Sequence, residues 1–198
     1  MQSPSFTKDW CTNNIGTWKR YLKKYKNHET KALEVGSYEG RSAIWMLDNV
    51  LTHEKSHITC VDNFTVGKDV HKRFTENMKP YQGKFKLYKE DSKVALKRSE
   101  VLKQHFDIIY IDGSRHSRNV LEDAILCFDL LKPNGLMIFD DYTDSREHDQ
   151  SCPKPAINAF LDIYASELQV LLTKWQVILK KREKPLPVKT CKSEFYTT

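Results

Sequence analysis

Apolar positions along the chain follow two rhythms, and the places where one gives way to the other divide it into elements. Over 13–25, Ile15, Trp18, Tyr21, Leu22 and Tyr25 recur at helical spacing, with Thr12 or Asn13 able to cap the first turn. An amphipathic helix laid over the main domain is expected there. From Lys31 onward, short apolar runs alternate with helical patterns. Strands are expected over 32–35, 57–61, 85–88, 106–111 and 136–139, and helices over 41–51, 66–78, 93–104 and 119–131. The turn Lys132-Pro-Asn-Gly135 leads into the fifth strand. Such alternation demands right-handed crossovers and a parallel sheet covered on both faces. After Asp141 the rhythm changes. A polar loop occupies 142–151, a helix with Pro155 in its first turn follows over 155–164, and strands over 168–172 and 175–179 stand a hairpin's length apart. The fold class is therefore α/β: a mostly parallel seven-stranded sheet with helices on both faces and a C-terminal antiparallel β-hairpin. The expected organisation is an N-terminal helical extension over 1–30, one domain over 31–183, and a basic, Pro-containing tail over 184–198.

Composition narrows the classes. A length of 198 residues suits one domain with a full core, and 39% hydrophobic with 29% charged residues is an ordinary globular balance. No apolar run approaches the roughly 20 residues that span a bilayer. The start, MQSPSFTKDW, has no apolar stretch of the kind a secretory signal needs. A cytoplasmic protein is expected, and a domain of a larger glycan-synthesis protein is compatible with the short extension. The oligomeric state is left open. Five cysteines without a C-x-x-C spacing argue against both a disulfide framework and a zinc cluster, and Cys60 and Cys127 read as buried thiols. The net charge of +6 gathers around 19–26 and 180–192. Nucleic acid could be drawn to such patches, but no aromatic-rich basic motif accompanies them, so solvated faces are the favoured reading.

In an open parallel sheet, ligands bind beyond the carboxyl ends of the strands, so the residues just after each strand carry the candidate chemistry. After the first comes EVGSYEGRS, beginning at Glu34. Gly36 permits a sharp turn and a close backbone approach, and Gly40 opens a helix whose amides can meet a carboxylate. The spacing is not the G-x-G-x-x-G of dinucleotide binding. After the second strand, Asp62 suits bidentate bonding to ribose hydroxyls, with Asn63 beside it. After the third, Asp91 and Ser92 could receive an adenine amino group or simply cap a helix. Asp112 comes after the fourth strand, and Asp140 and Asp141 after the fifth. Three carboxylates converging at neighbouring strand ends need a cation, and an all-oxygen set suits Mg²⁺ or another hard divalent ion.

With these residues placed, the chain resembles a class I, S-adenosylmethionine-dependent, metal-dependent O-methyltransferase with a Rossmann-like fold. The stretch LEVGSYEGRS from Leu33 is similar to the E-[IV]-G-x-[YF]-x-G-x-S motif of catechol-type and macrocin-type enzymes. YIDGS from Tyr110, VLEDA from Val120, LLKPNG from Leu130 and IFDDY from Ile138 resemble more closely the methyltransferase 24 family, associated with sugar modification. The resemblance spans roughly residues 31 to 181. It implies that Glu34, Gly36 and Ser42 hold the methionine end of the cofactor, Asp62 its ribose, and Asp91 with Ser92 its adenine, and that Ser37, Gly40, Asn63 and Asp112 also belong to the cofactor site. Asp112, Asp140 and Asp141 would ligate the metal. The family commonly reads I-D-G-S-H; here Arg115 takes the histidine's slot and His116 comes one position later.

The implied reaction moves a methyl group to a sugar hydroxyl, on a deoxyhexose such as rhamnose in a glycan or glycoside. A sugar hydroxyl is a weak nucleophile at neutral pH, so a metal would lower its pKa, and Asp112 or His116 would take its proton. Tyr38, Tyr142 and the loop over 143–154, with Asp144, Arg146, Glu147 and His148, would close over the acceptor. A catechol or other phenol fits the same site. An RNA methyltransferase would want an N-P-P-[YF] motif or stacking platforms, which the sequence lacks. A non-catalytic S-adenosylmethionine-binding module would have no use for the second group of carboxylates.

Overall fold

The computed structural model describes residues 3–103, 105–143 and 152–187. The polar loop's Asp144, Arg146, Glu147 and His148, and most of the expected tail, lie outside them. Seven strands form one sheet in the order β3-β2-β1-β4-β5-β7-β6. Strands β1 (Lys31–Val35), β2 (His57–Val61), β3 (Phe85–Tyr88), β4 (Phe106–Ile111) and β5 (Leu131–Phe139) are parallel. β6 (Leu168–Thr173) and β7 (Val177–Lys181) form the expected hairpin, and β7 runs antiparallel to β5.

The period of two along each strand sends alternate side chains to opposite faces. In β4, Ile109 and Ile111 join the core beneath α6 (Ser117–Leu130) and α7 (Lys154–Ile163). Ile108 and Tyr110 join the other core, beneath α1 (Ile15–Tyr21), α2 (Arg41–Asn49) and α3 (Val70–Met78). The N-terminal segment is part of that second core rather than a separate layer. Trp18 and Leu22 are wholly buried there, with Trp18 packed edge-on to Tyr110.

Some boundaries differ from the expected ones for local reasons. The helix expected from residue 66 begins at Val70, because Gly67 (φ +92°) and Asp69 (φ +59°) take the left-handed conformation and break any earlier helix. The helix expected over 93–104 is two single turns, α4 (Ser92–Ala95) and α5 (Ser99–Leu102), joined by residues that bond three positions back. The fifth strand reaches back through its entry turn to Leu131, with an irregularity in its pairing opposite Phe106 and Ile108. Among the described residues, no helix is long and apolar enough to cross a membrane.

Candidate active site

Sheet register brings the candidate residues together. Val35 pairs with Val61 on one side and with Ile111 on the other, so Gly36, Asp62 and Asp112 leave three adjacent strands at the same level. Ile111 pairs with Phe139, which sets Asp112 beside Asp140. The ladder continues through these residues: the Asp112 amide donates to the Val35 carbonyl (2.8 Å) and the Asp140 amide to that of Ile111 (3.1 Å). A cavity of about 500 Å³ opens there, within the usual range for small-molecule sites. Gly36, Asp62, Asn63, Asp91, Ser92, Asp112, Asp140 and Asp141 all line it.

Other expected residues support this floor without lining it. Glu34 is wholly buried beneath the first turn, where it accepts a hydrogen bond from the Ser42 hydroxyl (2.5 Å). Burial raises its pKa to about 7, against the hydrogen bond from Ser42. Ser37 is buried, and Gly40 (φ +84°) forms the left-handed N-cap of α2. Gly36 is required by close packing more than by a ligand. A Cβ on it would lie 2.2 Å from the Asp112 carbonyl oxygen, and its φ is +88°. Asp62 knits two turns together, accepting from the amides of Tyr38 (2.8 Å) and Phe64 (2.6 Å), and each oxygen keeps a lone pair for a further donor. Of the two roles open to Asp91, the helix cap is present: its Oδ1 accepts from the Lys93 amide at 3.0 Å.

The acidic end of the cavity is arranged differently from the closed triad expected. Among the described residues, no three carboxylate, histidine or cysteine side chains gather into a group that could hold a metal ion. Asp140 is buried, and its Oδ2 accepts from Asn14 (3.1 Å), Gln176 (3.1 Å) and the Tyr110 hydroxyl. Arg115 donates to Asp141 Oδ2 at 2.5 Å. A guanidinium thus supplies part of the counter-charge at this end. His116 is exposed, stands at the N-cap of α6 and does not line the cavity, whereas Arg115 does. Tyr38 lines the cavity; Tyr142 bonds instead to Asn158 on α7 (2.8 Å) and packs against the core.

Tyr110, Asn14, Gln176 and Asp123 have no part in the expected site. The Tyr110 hydroxyl meets both Asp112 Oδ2 (2.9 Å) and Asp140 Oδ2. Its single proton serves one of them, so the other contact is a hydrogen bond when that carboxyl carries a proton. The electrostatics agree. Asp112 is accessible from the open cavity, but protein crowds it on its other sides. That crowding, followed by the charges of Asp140 and Asp141, raises its pKa well above the carboxylate range. Burial also raises Asp140, against the Tyr110 hydrogen bond. Tyr110 stands two positions before Asp112, where the period of two puts both side chains on one face, and that spacing was a signal in the sequence. Asp123 was visible as a lone carboxylate on the apolar face of α6, with Val120, Ala124 and Cys127. Asn14 and Gln176 reach Asp140 across sequence separations of 126 and 36 residues, which no local pattern foretells.

Solved structures share this architecture. An O-methyltransferase from Bacillus cereus in complex with SAH aligns with a TM-score of 0.67 at 15% identity, covering 90% of this chain and 84% of that one. MycE methyltransferase from the mycinamycin biosynthetic pathway, in complex with Mg, SAH and mycinamycin VI, aligns with a TM-score of 0.66 at 16% identity, covering 93% of this chain and 54% of that one. A curated relative, Uncharacterized protein R132 of Acanthamoeba polyphaga mimivirus, is 24% identical over 153 residues. That match takes in 72% of this chain, which spans about 65% of the relative's length. Residues 33–142, more than half of the chain, match a family described as a methyltransferase domain. The chain belongs to this methyltransferase 24 family.

Proposed function

We propose that this methyltransferase transfers the methyl group of S-adenosylmethionine to a sugar hydroxyl, on a deoxyhexose such as rhamnose within a glycan or glycoside. The observation that carries the reading is one cavity at which a glycine turn and Asp62 stand beside Asp112 and Asp140, the two carboxylates that meet the Tyr110 hydroxyl. The solved relatives with SAH, and in one case Mg and mycinamycin VI, support it by analogy.

When bound, S-adenosylmethionine supplies an electrophilic methyl group on a sulfonium. Asp62 would receive the ribose hydroxyls on its spare lone pairs, while Gly36 and the buried Glu34–Ser42 pair keep the turn beneath the cofactor fixed. Asp112 would take the acceptor proton as the oxygen attacks in line. It would act in its ionised form, with the Tyr110 hydroxyl holding it in place. His116 would act only from outside the cavity lining, so Asp112 is the better placed of the two proposed bases.

The donor chemistry suits Mg²⁺, because Asp112, Asp140 and Asp141 offer only oxygen. For those three residues to hold the ion, Asp141 would have to leave Arg115 and turn toward Asp112 and Asp140, and the ion would then add positive charge beside the acceptor oxygen. The test is transfer from labelled S-adenosylmethionine to rhamnosides and catechols side by side, in Mg²⁺ and in EDTA. Methylation of a glycoside supports the proposal; methylation of catechols alone overturns the acceptor assignment.

A further inference from the structure

Asp123 lies on the inward face of α6, borders the cavity and takes no part in the chemistry above. It is 1% exposed, and its Oδ1 has no hydrogen-bond partner within the protein. A buried acceptor without a donor is costly, so a group that brings the donor with it is the natural occupant. Neighbouring acidic groups are already engaged. Asp91 caps the Lys93 amide, and Glu90 is paired with both Arg98 guanidinium nitrogens reaching it. Val120, one turn earlier on the same helix, and Ile111 give this part of the cavity apolar walls suited to a flat ring.

We infer that Asp123 reads the purine: its unpartnered Oδ1 accepts a hydrogen bond from the exocyclic amino group of the cofactor's adenine. This rests on the proposed S-adenosyl cofactor and assigns its base selectivity to a helix residue rather than to Asp91. Burial, followed by the Asp91 and Glu122 charges, raises Asp123 to about 6, against the Ser92 side chain. At neutral pH it is therefore mainly ionised and acts as an acceptor only. An acceptor favours the amino group of adenine over the carbonyl that replaces it in hypoxanthine.

The experiment is calorimetric titration of S-adenosylhomocysteine and its deaminated analogue, S-inosylhomocysteine, into the wild type, Asp123→Ala and Asp123→Asn. The wild type should prefer the adenine compound by about tenfold or more, on the scale of one buried hydrogen bond made or left unmade. Asp123→Ala should erase the preference. Asp123→Asn, whose amide can donate to the hypoxanthine carbonyl, should move it toward the deaminated compound, and it serves alone should the alanine variant fail to fold. An unchanged ratio in the variants, even with both affinities lowered, would overturn the inference, because a purely structural role weakens both ligands alike. A wild type without preference would do the same. A wild type that binds neither compound would overturn the cofactor reading along with it.

Discussion

Glu34 shows how one buried side chain ties stability to pH. Its carboxyl titrates at about 7 in the fold against 4.5 for the ordinary side chain. Between those values the folded protein keeps a proton that the unfolded chain has released. The resulting stabilisation is full below about 4.5 and is lost as pH rises through 7. The stability of the wild type relative to Glu34→Gln, followed by urea melts, should therefore fall by about 2–3 kcal/mol from pH 4.5 to 8. A flat difference would mean that the carboxyl is not held this way. Two glycines make a contrasting pair. Gly36→Ala forces a Cβ to within 2.2 Å of the Asp112 carbonyl oxygen and should cost more than about 3 kcal/mol. Gly16, inside α1 with nothing within 4 Å of its missing Cβ, should gain about 0.5–1 kcal/mol as alanine. Gly36 was legible as a turn because glycine after a strand marks one. That its neighbour is the backbone of Asp112, 76 positions away, was not, since the contact depends on sheet order.

At the scale of elements, α1 links the periphery to the chemistry. Trp18 donates its indole N–H to Gln176 (3.0 Å), Gln176 donates to Asp140, and Asn14 donates to the same carboxylate. Trp18→Ala should cost about 3–5 kcal/mol in thermal or denaturant unfolding, the usual range for a buried aromatic, and should also loosen Gln176. A cost below about 1 kcal/mol would mean that the helix is only laid on the surface. The helical period over 13–25 located this element, but periodicity identifies the buried face without naming what it covers. The crossover pattern likewise located the strands well, since alternation of apolar runs is a strong local signal. It failed at 66–69 and across 93–104, where left-handed residues and three-residue bonding override an apparently continuous helical pattern.

For the whole molecule, the sheet order does what no single motif can. It draws Gly36, Asp62, Asp112 and Asp140 from four strands to one edge of one cavity. Each of these residues stands just past the carboxyl end of its strand, so their convergence was the most legible feature of the site in the sequence. The more distant hydrogen-bonded partners of the carboxylates, Asn14, Gln176 and Arg115, were not legible because they depend on side-chain packing across the fold. If a cation balances this cluster, Mn²⁺ binding measured by paramagnetic resonance should weaken by about tenfold or more in Asp112→Asn, in line with losing one charged ligand. Equal binding by the two would dissociate the metal from these carboxylates. The central claim is tested most directly by incubating the protein with S-adenosylmethionine carrying a deuterated methyl group and a rhamnoside, and reading the product by mass spectrometry. A deuterated methyl ether on the sugar is expected, suppressed by EDTA and restored by Mg²⁺. Label appearing only on a catechol, or on no hydroxyl compound in a broad set of glycosides and phenols, would contradict it.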